Sequence, residues 1–429
     1  MTLAILCGTL LLCLFLGLPI FMSLGIATFV SLTTSDIPLT MIAQTLYQGV
    51  DQFPLLAIPC FILAGSLMER GGVTQQIIDV VLRLTGRFTG GLGIATILAC
   101  MFFSAISGSG PGTVAAIGTL MIPAMIRRGY DRGYAGAVSS SGGTLGILIP
   151  PSNPMIIYGV IANCSIVGLF IAGLIPGVMI GLAHCFVAYY VARRLQFGST
   201  GERFRLGEFL RLCWQGKFAL AAPFVVLGGI YAGVFTPVEA SVIAVFYGLL
   251  VGAVVNRRLS FHDVLESLAD STRITGTVII IVGTSTVFGQ ILTVNQAPMK
   301  LAQLITQVTT NWFLVLLMII AVFFFLGMFM ETLSTIIILT PVLLPVVTKL
   351  GIDPIHFGII FVVTNEVAFL TPPLGVNLFV ACQLADVNLE RLSLHVLPHI
   401  LAIVSCILIL AYFPALSTWL PRLLGFGRY

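Results

Sequence analysis

Charge is what this 429-residue chain has least of: Asp, Glu, Lys and Arg together make 8% of it, against 58% hydrophobic residues and a mean hydropathy of +1.10. An ordinary soluble domain carries roughly 25% charged residues, so a soluble globular protein is excluded. The expectation is an all-α polytopic membrane protein, with room for about ten spans of ~20 residues. Paired cysteines are lacking too. The nine cysteines are scattered singly, as at Cys7, Cys13, Cys60 and Cys100, which argues for small core residues rather than disulfides or metal ligands. Histidine is scarce, and no Ser/His or metal-ligand cluster supports an intramembrane enzyme. The net charge of +4 comes as short basic clusters between apolar runs, which reads as membrane topology and not as nucleic-acid binding. No basic n-region precedes the first apolar stretch, which is too long for a signal peptide and is expected to stay as membrane helix.

What is present is a set of helix breakers where none would be expected. Between Phe88 and Ile126 there is no charged residue, yet Ser104 to Gly112 reads SAISGSGPG. Unpaired backbone groups cost several kcal/mol in hydrocarbon, so broken chain at membrane depth has to be buried in protein or line a cavity. The flanks Gly90–Phe103 and Thr113–Ile126 are each about 21 Å of helix, short of a ~30 Å core. The expectation is a re-entrant hairpin over about 90–126, its mouth marked as cytoplasmic by Arg127, Arg128 and Arg132. A span over about 135–161 follows, expected to unwind at Ser139–Thr144 and at Pro150-Pro151-Ser-Asn-Pro154.

Further along, the polar stretch 196–217 reads as a cytoplasmic linker, with repeats over 1–195 and 218–429 on either side. The second half has the same form: a hairpin over about 312–348 with the polar cluster Glu331–Thr335 at its tip, and a span over about 355–384 broken at Thr371-Pro372-Pro373-Leu-Gly375. Pro123 and Pro345 lie 222 residues apart, and so do Pro150 and Pro372. Val73–Phe88 and Pro298–Thr310 are matching surface arms, and Phe261–Leu268 is a short amphipathic piece ahead of a span over Ile274–Val294. Residues 3–32 form one tilted span or two short ones. Arg422 and Arg428 argue for a cytoplasmic C-terminus, whereas the span count argues for the outside. Opposed orientation of the two halves would make them inverted repeats, the architecture of many secondary transporters, whose sites lie on discontinuous helices at the midplane.

Free carbonyls and hydroxyls at such breaks are oxygen ligands suited to Na⁺. The candidates are Ser104, Ser107, Ser109, Gly143, Gly146 and Ser152 in the first half, and Gly327, Thr332, Ser334, Thr335, Thr371 and Gly375 in the second. Half-helix N-termini suit an anionic solute, with Ser109, Pro111, Thr144, Asn153, Glu331 and Asn377 as candidate contacts. The competing reading is that these small residues only let helices pack closely. Glu331 and Glu366 are intramembrane acids and functional candidates. Glu239, beside a proline, reads as a loop residue and His184 as a packed one.

At these motifs the sequence resembles the large membrane subunit, of DctM/SiaM type, of the tripartite ATP-independent periplasmic (TRAP) transporters. The carrying residues are SGSGPGTVAAIG (107–118), GYDRGYAGAVSSSGGTLGILIPPSNPMIIYGV (129–160), GGIYAGVFTPVEAS (228–241), FLGMFMETLSTIIILTPVLLPV (325–346) and TPPLGVNLFV (371–380). The resemblance implies an elevator-type, Na⁺-coupled importer of the bacterial inner membrane. Its partners would be a small four-helix membrane subunit and a periplasmic substrate-binding protein that delivers a carboxylate solute such as a C4-dicarboxylate, sialic acid or another sugar acid. Extra N-terminal spans of fused members are missing, so the small subunit is expected as a separate chain. The alternatives are an anion transporter of the same superfamily, Na⁺- or H⁺-coupled, that needs no binding protein, and a channel, for which the paired dead-end hairpins offer no continuous polar pore.

Overall fold

The computed structural model describes residues 2–34, 38, 40–197, 204–297, 299–300, 303, 311–328, 330–372 and 375–426. Among these residues there are helices and no strands. Six helices are long and apolar enough to cross a membrane, namely Phe53–Arg70, Ile166–Arg194, Pro237–Val255, Phe261–Val294, Thr332–Lys349 and Leu389–Tyr412. The pair Leu206–Gln215 and Lys217–Tyr231, bent by 62°, adds a seventh if counted as one span.

The N-terminal apolar stretch is two short helices, Thr2–Phe15 and Ile20–Thr33. Gly17, in the left-handed region at φ 74°, and Pro19 separate them. Leu6 and Leu10 of the first meet Leu24, Ala27 and Leu32 of the second in a small core that also takes in Phe288 and Ile291. The arm Val73–Thr85 is a helix whose Ile77, Val80 and Val81 are buried, as its amphipathic spacing demands. Its expected counterpart at Pro298–Thr310 lies for the most part outside the described residues, as does part of the 196–217 linker.

One expectation fails at Phe261–Leu268. That piece is the first part of a continuous 34-residue helix, Phe261–Val294, started by a Ser260/Asp263 capping box and interrupted by no proline. Two of the crossings that join the first and second halves carry polar contacts. Helix Ala57–Arg70 packs on Pro237–Leu249 and the π-turn after it, so closely that a Cβ on Gly71 would stand 2.8 Å from Gly252 Cα. There Asn256 Nδ2 donates to Gly71 O (2.8 Å) and Gln76 Nε2 to Asn256 Oδ1 (2.8 Å). Helices Ile166–Arg194 and Leu389–Tyr412 cross at a fully buried pair, His184 Nδ1 and His399 Nδ1, 3.0 Å apart.

Element positions recur along the chain. Helices Gly110–Arg127 and Thr332–Lys349 have 18 residues each and start 222 residues apart. The helices that follow them start at Arg132 and Pro354, and their N-caps Asp131 and Asp353 keep the same spacing.

Candidate functional site

The first hairpin is tighter than the sequence suggests. Its arms are Gly91–Ser107 and Gly110–Arg127, so only Gly108 and Ser109 are left as the tip. Gly108 takes φ 61°, a conformation that a side chain would strain, and Ser109 caps the second arm by accepting from Gly112 N–H at 3.3 Å. Ser107 Oγ sits 2.8 Å from Thr113 Oγ1. Ser104 lies a turn back, its hydroxyl donating to Cys100 O at 2.5 Å. At 17 and 18 residues the arms are each about 26 Å long, still short of the ~30 Å core.

The broken span behaves differently from expectation over Ser139–Thr144. Helix Arg132–Gly143 runs unbroken through the serines and glycines, one 3₁₀ turn follows at Thr144–Ile147, and the chain leaves the helix only at 148–152, which contains the cis Pro150–Pro151 bond. Ser140 and Ser141 return their hydroxyls to Ala137 O at 3.0 and 2.7 Å, which keeps them helical. The glycines serve close approach: a Cβ on Gly143 would meet Val114 Cγ2 at 2.1 Å, and one on Gly146 would meet Ser109 O at 2.3 Å. The backbone of this span thus lies directly against the hairpin tip. Ser152 caps helix Asn153–Ile161, accepting from Met155 N–H at 3.3 Å and donating to Ile147 O. Thr144 faces away from the tip, donating to Ser141 O at 2.7 Å with its Oγ1 3.5 Å from His184 Nε2.

The second hairpin has arms Trp312–Gly327 and Thr332–Lys349, with Glu331 at the N-cap position and no side-chain cap bond. Thr335 Oγ1 donates to Glu331 O at 3.0 Å. The second broken span runs as helix Pro354–Ala368, residues 369–372 outside regular helix, and helix Val376–Ala385, led by Gly375 at φ 32°. Pro373 and Leu374 fall outside the described residues. Thr371 Oγ1 donates to Val367 O at 2.7 Å. Gly327 packs so that a Cβ would stand 2.7 Å from Ala368 Cβ and 3.2 Å from Asn365 Oδ1.

A cavity of about 460 Å³ joins these parts. It is lined by the first tip from Ser107 to Gly112, by Asn153, by Glu331 and Thr332, and by Phe369 and Val376. Helices Phe53–Arg70 and Phe261–Val294 close its other side with Ser66, Glu69, Asp270 and Ser271. Of the sequence candidates, Ser107, Ser109, Pro111, Asn153, Glu331 and Thr332 reach this cavity, whereas Ser104, Thr144 and Ser152 have hydroxyls engaged with helix carbonyls.

Asn377 is buried beside the first tip although it belongs to the second half. It donates through Nδ2 to Ser140 O at 3.3 Å, and a Cβ on Gly110 would stand 3.2 Å from its Oδ1. Among the buried side-chain atoms with no hydrogen-bond partner among the described residues, seven oxygens lie at or near these breaks: Asn153 Oδ1, Thr332 Oγ1, Ser334 Oγ, Asn365 Oδ1, both carboxylate oxygens of Glu366, and Asn377 Oδ1. Leaving such a group bare costs about 1–3 kcal/mol, so a set of them at helix ends marks positions for a ligand. All are oxygens, the donor type a hard cation takes. Asn365 is absent from the sequence candidates, although the 222-residue spacing from Gly143 lands on it. Glu69 and Asp270 carry no motif that would have singled them out. Glu239 sits in an exposed capping box with Thr236, in keeping with a loop role. Among the described residues no group of three or more His, Cys, Asp or Glu side chains could hold a metal ion.

Crossed helices, paired hairpins and a cavity at four helix breaks define a multi-pass membrane transporter. Residues 7–416 match the DctM component of the tripartite ATP-independent periplasmic transporters, and the chain belongs to that family of the bacterial inner membrane. It is 42% identical over 415 residues to the isethionate TRAP transporter permease protein DctMQ of Oleidesulfovibrio alaskensis, covering 96% of this chain and 65%, just under two thirds, of that longer one. To the C4-dicarboxylate TRAP transporter large permease protein DctM of Pseudomonas aeruginosa it is 38% identical, over 90% of each chain. Its fold is similar to that of the YdaH transporter of Alcanivorax borkumensis, with a TM-score of 0.64 at 15% identity over 91% of this chain and 89% of that one. These relatives are permeases and not enzymes.

Proposed function

We propose that the chain is the large permease of a Na⁺-coupled importer of small organic anions, working by an elevator movement. The observation that carries the reading is the convergence of both hairpin tips and both span breaks on one cavity, with bare buried oxygens beside it. Half-helices ending at Ser107, Ile147, Gly327 and Ala368 present carbonyl ends, and those beginning at Gly110, Asn153, Thr332 and Val376 present N–H ends.

Carbonyl ends and bare oxygens suit sodium. At the first tip the donors would come from Ser107, Ser109, Gly143, Gly146 and Asn377, and at the second from Gly327, Thr332, Ser334, Thr335, Asn365, Thr371 and Gly375. The N–H ends suit an anion, and Pro111, Asn153 and Glu331 line the space it would occupy. The cavity has no Lys, Arg or His among its described lining residues. A bound anion there needs its charge met by co-bound cations and helix ends, which ties the solute to sodium. Only states with the charges balanced would move readily, and that restriction is the coupling.

The two halves are read as inverted repeats. The moving part would hold hairpins 91–127 and 312–349 with the broken spans, and the fixed part helices 57–70, 237–255 and 261–294. A small membrane subunit and a periplasmic binding protein would complete the assembly that the family's name describes. The two relatives named for isethionate and C4-dicarboxylate transport support a small organic anion as the solute class.

Reconstitution tests the reading. Proteoliposomes holding both membrane subunits, supplied with the binding protein, should accumulate the anion only with Na⁺ outside in excess. Uptake unaffected by collapsing the sodium gradient would overturn it.

A further inference from the structure

The cavity's two walls carry different charge. On the hairpin side stand N–H helix ends, Glu331, and two buried unpartnered side chains, Asn153 (7% exposed) and Thr332 (2% exposed), both lining the space. On the opposite wall stand Glu69, at the end of helix Ala57–Arg70, and Asp270 of helix Phe261–Val294. Asp270 is engaged: Arg70 Nη2 donates to its Oδ2 at 3.2 Å, and Arg273 Nη1 lies 3.9 Å from its Oδ1. Arg70 is itself divided, since it also bonds Glu266 and stands 4.0 Å from Asp263. One guanidinium facing three carboxylates has little left for a fourth. Glu69, which is exposed, lines the cavity and makes no side-chain hydrogen bond or ion pair among the described residues, while its neighbour Arg70 is turned to those three other carboxylates.

The wall's position gives that charge a direction. Gly71 and Gly72 follow Glu69 within three residues, and a Cβ on Gly72 would stand 2.8 Å from Arg258 Cδ. Asn256, next to Arg257 and Arg258, bonds Gly71 O. This basic cluster places the Glu69 end at the cytoplasmic side. Resting on the importer reading above, we infer that Glu69 is an electrostatic release residue of the fixed wall. When the hairpins face it, as they do here, its carboxylate repels the bound organic anion and attracts the departing cations. When the hairpins have moved to the outer side, it is out of range and capture is unaffected. The same anion is therefore held more weakly inside than outside, which favours import without a change in any residue that touches the solute from the moving part.

Two measurements test this. In the first, Val376→Cys, which lines the same cavity, is labelled with a cationic and an anionic methanethiosulfonate, with rates corrected for the parent protein's own cysteines. The cation-to-anion rate ratio should be well above one and should fall about tenfold on adding Glu69→Gln. Asp270→Asn should move it less, because that charge is already shared with two arginines. Glu69→Asp should restore the ratio. The second uses proteoliposomes with isethionate and succinate as probes: Glu69→Gln should lower the internal half-saturation constant for efflux about tenfold and leave the external constant for uptake unchanged.

An unchanged labelling ratio overturns the inference, and so does an equal shift on both sides of the membrane. A rise in the internal constant overturns it as well, since Glu69 would then be holding a cationic group of the solute. If wild-type protein moves neither probe with sodium, the importer reading fails for those solutes, while the labelling ratio still decides the role of Glu69.

Discussion

The two hairpin tips occupy the same register and solve the same backbone problem with different chemistry. At the first, Ser109 caps its helix and Ser107 pairs with Thr113, so the hydroxyls are satisfied within the tip. At the second, the corresponding position is Glu331, which caps nothing, and Thr332 and Ser334 keep bare oxygens. The first tip is thus a shaped cradle of neutral groups closed by Gly143 and Gly146, while the second holds formal charge and unspent acceptors. The two tips differ in chemistry even though the helices that leave them, Gly110–Arg127 and Thr332–Lys349, have 18 residues each.

That contrast can be broken in order of effect. Glu331→Gln removes the only formal charge at either tip, and sodium-driven uptake should fall at least thirtyfold, roughly 2 kcal/mol of transition-state coupling; uptake within threefold of wild type would make the tips equivalent. Gly146→Ala attacks the first tip by shape alone. With Ser109 O 2.3 Å from the new Cβ, the hairpin must shift, at about 1–3 kcal/mol, visible as a lower unfolding temperature. Ser107→Ala combined with Ser109→Ala removes a cap of about 1 kcal/mol and two oxygens, and should raise the Na⁺ concentration for half-maximal uptake about fivefold; an unchanged value would remove sodium from the first tip.

The smallest effect concerns pH at the mouth of the first hairpin. Burial alone would raise the pKa of Asp131, but the N–H of Tyr134 and the nearby Arg391 and His395 more than offset it and hold the carboxyl below its usual range. A carboxyl depressed in the folded state contributes stability at pH above about 4. That contribution should fade as the pH drops through the lowered value, and Asp131→Asn should flatten the acid limb of the unfolding curve.

Much of this was legible in the sequence because breakers in an apolar context have few readings. Gly108, Pro150–Pro151 and Gly375 all mark real breaks, and the proline spacing anticipated matched helix starts. Ser139–Gly143 stays helical for a physical reason: glycine and serine weaken a helix in isolation, but here Gly142 and Gly143 give the small surface against which Cys100 and Val114 pack, and Ser140 and Ser141 bond their own helix. Helix Phe261–Val294 was divided at polar residues that sit in the ion-pair cluster with Arg70, a tertiary fact with no local signature. Glu69 has no local signal for the same reason, since facing a cavity is decided by a partner helix some 200 residues away.

Asn377 has one more consequence. It belongs to the second broken span but lies buried against Gly110, Ser140 and Gly143 of the first half. Any ligand that orders the first tip must also fix the position of helix Val376–Ala385, the second half of the second broken span. On the proposed reading, ligands at the two tips are coupled through this helix, and reciprocity requires each to change the affinity of the other by the same factor.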